Sequence, residues 1–210
     1  MKSYIKEVVA IVLFCGMSVM GEETKDESSN DFSIRISLGN APGVSDLSYP
    51  GGSISGETKA GDGGRLEVLA VKRYWSEKES RAGGTFGGGL FVGRQDGRED
   101  GGIHSTEISS FGAMIQGGLA IKASDTLIFE LTPYFGLGGA QNRIQGFSIE
   151  NGPYYFYGIK GGFFFEVSRN IELGLELGYE GFIQEVEYQN MAIKSTGSGF
   201  SGGLVLAVKF

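Results

Sequence analysis

Residues 171–183 read Ile-Glu-Leu-Gly-Leu-Glu-Leu-Gly-Tyr-Glu-Gly-Phe-Ile, and every odd position through Tyr179 is large and apolar or aromatic. Glu172, Gly174, Glu176, Gly178 and Glu180 fill the even positions. Successive side chains of a strand point to opposite faces, whereas a helix would spread the leucines around its circumference. The stretch therefore predicts one β-strand with one greasy and one polar face. At roughly 3.3 Å per residue, about 9–11 tilted residues cross the hydrocarbon core of a bilayer, so this strand is long enough to span one.

The same period recurs along the chain. It predicts strands over 31–40, 65–75, 84–93, 106–121, 127–138, 154–166, 171–183 and 198–210. Phe32, Ile34, Ile36 and Leu38 illustrate the apolar face, and Ser33, Arg35, Ser37 and Gly39 the other. Pro133 falls inside the fifth strand, where it removes a ladder donor. The connections alternate: 41–63, 94–105, 140–153 and 185–197 read as long polar loops, with short turns at 76–83, 124–125 and 168–170. Eight strands with alternating long and short connections describe an all-β, closed, antiparallel up-and-down transmembrane β-barrel. Closure is required because lipid offers no partner to an open sheet edge.

Composition narrows the function. A formal charge of −7 over 210 residues offers no basic patch for phosphates, which excludes nucleic acid as a partner. Lys2 and Lys6 precede an apolar run from Val8 to Met20, followed by Gly21, the parts of a secretory signal peptide. Residues 1–21 are thus expected to be a signal peptide, 22–30 a flexible periplasmic lead-in, and 31–210 the barrel. Cys15, the single cysteine, falls in the leader, so the mature chain is expected to lack disulfide and thiolate chemistry.

Alternation alone does not say which face is wet, because soluble barrels bury their apolar face. Here the polar face is largely glycine with scattered charges, which suits the narrow interior of an eight-stranded barrel. Arg35, Arg65, Glu67, Glu130, Lys160, Glu166, Glu172, Glu176, Glu180 and Lys209 are expected to form a charge network inside it. Tyr74, Trp75, Tyr154, Tyr155, Tyr157 and Phe210 fall near strand ends and are expected to form interface belts.

With its leader, eight strands and a terminal Phe210 preceded by Val208, Leu206 and Leu204, the chain resembles the small eight-stranded outer-membrane proteins of Gram-negative bacteria. That family includes the OmpA transmembrane domain, OmpX and the opacity-type surface proteins. The resemblance implies residence in the outer membrane with loops at the cell surface, contact with outer-membrane lipid and lipopolysaccharide, and Phe210 as the signal read by the barrel-assembly machinery. It also implies a structural or surface-interaction role, with an extracellular partner held by the loops. Eight strands leave an interior only wide enough for side chains, so a general diffusion pore is not expected.

The alternative is an outer-membrane lipid A-modifying hydrolase of the eight-stranded deacylase type, resting on His104. Resemblance to those enzymes would call for a Ser two residues after the His, but Thr106 stands there and the serine is the adjacent Ser105. Adjacent strand residues face opposite ways, so the chain is not expected to be an enzyme and no catalytic residue is assigned. The row Glu172, Glu176, Glu180 spaces its carboxylates about 13 Å apart, too far for one ion, and no metal or cofactor site is assigned. The run from Gly83 to Gly89 lacks the Gly-Lys-Ser/Thr ending of a phosphate loop and reads as strand glycine.

Overall fold

A computed structural model of the chain describes residues 31–55, 63–75, 80–98, 105–144, 147–188 and 191–210. The expected leader and lead-in, with Cys15, lie outside the described residues, as does His104. The strands are β1 (Asp31–Ala41), β2 (Asp46–Tyr49), β3 (Gly52–Ser55), β4 (Gly63–Trp75), β5 (Ala82–Arg98), β6 (Ser105–Lys122), β7 (Leu127–Ile144), β8 (Phe147–Ser168), β9 (Ile171–Tyr188) and β10 (Met191–Lys209). β1 and β4 through β10 pair antiparallel in chain order. β10 then returns to β1, from Ser33↔Lys209 to Asn40↔Gly202, and closes an eight-stranded up-and-down barrel. The β2–β3 hairpin is added to the upper part of β10 through Asp46↔Thr196 and Ser48↔Lys194.

The strands are longer than the hydrophobic pattern indicates. β5 and β6 stay paired up to Arg98↔Ser105, β7 and β8 to Ile144↔Phe147 past an irregularity at Gln141 and Arg143, and β9 and β10 to Tyr188↔Met191. Most of 140–153 and 185–197 is therefore strand rather than loop, as are 94–98 and Ser105 of the segment 94–105. Above the lipid, a ladder needs only its backbone partners, so Ser, Asn and Gln do not interrupt it. The segment 41–63 likewise contains a hairpin, turned by Tyr49-Pro50-Gly51-Gly52. Proline at the second position and Gly51 at φ 108° make a type II turn, in which the third residue must adopt positive φ.

The small ring demands a sharply curved wall. At the Gly112↔Gly138 pair a Cβ on Gly138 would strike the Phe111 carbonyl and lie 2.7 Å from the Gly112 Cα. Only a residue without a side chain lets the two strands approach so closely. Pro133 pairs with Ile159 on β8, while the ladder to β6 is interrupted between Gln116↔Tyr134 and Leu119↔Leu131. Pro133→Val is expected to raise stability by about 1 kcal/mol by restoring a donor, read as a higher urea midpoint in detergent.

Around the outside runs an exposed apolar band. On β9 it consists of Ile171, Leu173, Leu175, Leu177 and Tyr179, and neighbouring strands add Phe163, Phe165, Leu204 and Leu206. From Ile171 to Ile183, a strand tilted as in such barrels covers about 30 Å of height. Charged residues occupy the opposite face. The sheet is thus inside-out relative to a soluble barrel and has the architecture of outer-membrane barrels.

Candidate functional site: a sealed lumen and a projecting rim

The lumen is filled in layers, beginning near the short turns at 123–126 and 169–170. In the first layer Arg35 of β1 donates two hydrogen bonds to Glu130 of β7, at 2.8 and 2.7 Å. Arg73 of β4 donates from Nε to the same carboxylate at 2.6 Å and from Nη1 to Glu172 of β9 at 2.8 Å. Lys209 lies 2.8 Å from Glu166 and 3.5 Å from Glu172. Both guanidinium groups sit over the Phe164 ring, at 4.4 and 5.2 Å from its centroid.

The second layer centres on Arg65, which donates to Glu67 at 2.7 Å and engages both oxygens of Glu180. Lys160 bridges Glu67 and Glu176 at 3.3 and 3.0 Å. The Tyr134 hydroxyl donates to Glu180 at 2.6 Å. Among the described residues no ion pair joins the two layers, so the ten charged residues named from sequence fall into two groups of five.

Above them the barrel is plugged by rings. Phe91 meets Phe156 edge-on at 4.7 Å, Tyr154 stacks on Phe182 at 5.6 Å, and Leu69, Ile108 and Met114 complete the cluster. An amide layer follows: Gln95 donates to the Tyr154 hydroxyl at 2.9 Å, and Asn142 to Gln184 and Ser195 at 3.1 and 3.2 Å. Across the mouth passes the linker 42–45, where Val44 N–H donates to the Asp96 carbonyl on β5 and Ser45 N–H to Thr196 on β10. Leu47 of the hairpin packs on Val186 and Ile193.

Two of the expected belt aromatics belong to the interior instead. Trp75 is 2% exposed and Tyr154 0%; Trp75 shares the inward parity of Leu69, Val71 and Arg73 along β4. The Trp75 indole N–H donates to Asp31 at 3.1 Å, with the Lys122 ammonium 4.2 Å over its ring. Tyr74, Tyr155 and Tyr157 do point outward, and Phe210 is exposed with its ring 6.1 Å from that of Phe32. Sequence reasoning passed over Arg73, although strand parity from Arg65 places it inside, and it passed over the aromatic plug. The Gly83–Gly89 run lies within β5. Thr106 is buried in the lumen, while its neighbour Glu107 pairs with Arg94 at 3.2 Å.

No family model matches the sequence, and no curated protein matches it. Among solved structures the chain is similar to Ail, the attachment invasion locus protein of Yersinia pestis, at 12% identity over 88% of this chain and 100% of that one, with a TM-score of 0.45. Neisserial surface protein A shows 15% identity over 85% and 97%, TM-score 0.46. The outer membrane protease OmpT of Escherichia coli shows 10% over 89% and 99%, TM-score 0.41.

Proposed function

We propose that the chain is an outer-membrane barrel that works through its projecting rim as a surface-interaction protein, and that its lumen conducts no solutes. The observation that carries this reading is the pairing of a sealed interior with strands that continue beyond the apolar band. Rings and amides close the lumen, while β5 through β10 and the β2–β3 hairpin stand clear of the lipid as a hydrogen-bonded sheet. Binding groups on a rigid mount lose little conformational entropy when a partner docks. Lipopolysaccharide around the band and the assembly machinery acting at Phe210 are further partners under this reading.

Topology is tested with single cysteines, since Cys15 is the chain's only natural one. Ser53→Cys, in β3, is expected to react with a membrane-impermeant maleimide on intact cells, and Ser124→Cys only after lysis. The reverse pattern would place the rim in the periplasm and end the surface reading. Deleting 46–55 is expected to leave the barrel folded and to reduce cell adhesion; full adhesion in the deletion would count against the hairpin. In planar bilayers no steady large conductance is expected.

A further inference from the structure

Three residues that face the lumen from neighbouring strands carry polar atoms that no hydrogen bond reaches among the described residues. They are Arg73 of β4 at Nη2, Thr85 of β5 at Oγ1, and Gln116 of β6 at both Oε1 and Nε2. All three are buried, with 1%, 3% and 2% of their surface exposed. Arg73 stands opposite Thr85, and Thr85 lies diagonally from Gln116, since Thr85↔Gly118 and Gly87↔Gln116 are successive pairs on the same face. Opposed side chains start about 5 Å apart and diagonal ones about 7–8 Å, so a small occupant can bridge them. Gly87 and Gly118 bring no side chain to meet these groups. Leaving a buried donor or acceptor unpaired carries the full cost of its desolvation, and these atoms share one level of the lumen.

What is left over defines the chemistry of the missing partner. Arg73 Nη2 and Gln116 Nε2 can only donate, Gln116 Oε1 can only accept, and the Thr85 hydroxyl does either. The partner must therefore both accept and donate. It must also be neutral, because Arg73 is already matched by Glu130 and Glu172, and the charges of its layer cancel. The wall is short of a donor at the same level. The β6–β7 ladder breaks next to Gln116, between Gln116↔Tyr134 and Leu119↔Leu131, where Pro133 has no N–H to give.

We propose that this level of the lumen is a buried hydration site, in which water accepts from Arg73 and Gln116 and donates to Gln116 and Thr85. A buried water makes about three hydrogen bonds, so the unpaired atoms call for about two waters. Gln116 stands opposite Tyr134 of the second ion-pair layer, and Arg73 belongs to the first. The waters thus carry the polar filling of the lumen across the level where no ion pair crosses.

The test has two readouts on the refolded full chain. In lipid nanodiscs, an isotope-labelled sample is expected to show a cross-peak between water and the side-chain amide protons of Gln116, with the sign of a bound rather than a passing water. In detergent, the urea midpoints of Gln116→Met and Thr85→Val are compared with wild type, both substitutions keeping the side chain's size. If water satisfies these groups, each substitution removes a made hydrogen bond and is expected to lower the folding constant roughly three- to tenfold. If nothing satisfies them, each removes an unpaired polar group and raises the midpoint instead. Absence of the cross-peak in the folded wild type, or a midpoint raised by either substitution, would overturn the proposal.

Discussion

Glu130→Leu is expected to destabilise the barrel by roughly 3–5 kcal/mol, the cost of removing one partner of a buried ion pair. The substitution strands two cations, because Arg35 gives both terminal nitrogens to Glu130 and Arg73 gives its Nε. Arg73 retains Glu172, whereas Arg35 keeps only the Phe164 ring. Replacing Arg35 as well, by Met, removes the orphaned charge, so the double variant is expected to recover part of the loss. Urea titrations of the single and double variants in the same detergent check this, and additive losses would show that the pair is not the source.

Gly138→Val is expected to prevent folding altogether. Its Cβ meets backbone on β6, the Phe111 carbonyl and the Gly112 Cα, and these atoms are fixed by the ladder on both sides. Overpacking a core typically costs about 1–3 kcal/mol when side chains can shift, and here none can. Folded and unfolded barrels migrate differently on unheated gels, so loss of the compact band reads the outcome. Gly139→Val is the control. Gly139 faces outward with only the Phe111 ring near it, at 3.7 Å, and folding is expected to survive there.

How far the sequence could be read follows from which physical constraint was acting. Within the lipid band, Leu173, Leu175 and Leu177 must face the acyl chains and Glu172 and Glu176 must not, so parity alone assigns both faces. Above the band that constraint ends: Ser109, Gln141 and Glu187 are as acceptable on a strand as in a loop, and their pairing shows only in the register. Trp75 and Tyr154 were drawn to the interface by residue type, but the parity of their strands governs. Arg73 lay between the outward Lys72 and Tyr74, where a polar residue on each face hides the alternation. The linker 42–45 left no mark in the sequence, because its role rests on two backbone donors.

The ion pairs also set how the protein must come to be folded. Arg35 and Glu130 are separated by 95 positions, Arg73 and Glu172 by 99, Lys160 and Glu67 by 93, and Arg65 and Glu180 by 115. Arg65–Glu67 within β4 and Lys160–Glu176 across the β8–β9 hairpin are local, but a hairpin entering the bilayer alone would carry Arg35, Arg73, Glu130 and Glu180 into hydrocarbon without these distant partners. Insertion strand by strand is thereby disfavoured, and the rate-determining event becomes the meeting of β1 with β10, a loop closure spanning nearly the whole barrel. Folding kinetics should accordingly show one slow phase in which the interior tyrosines and the band become protected together.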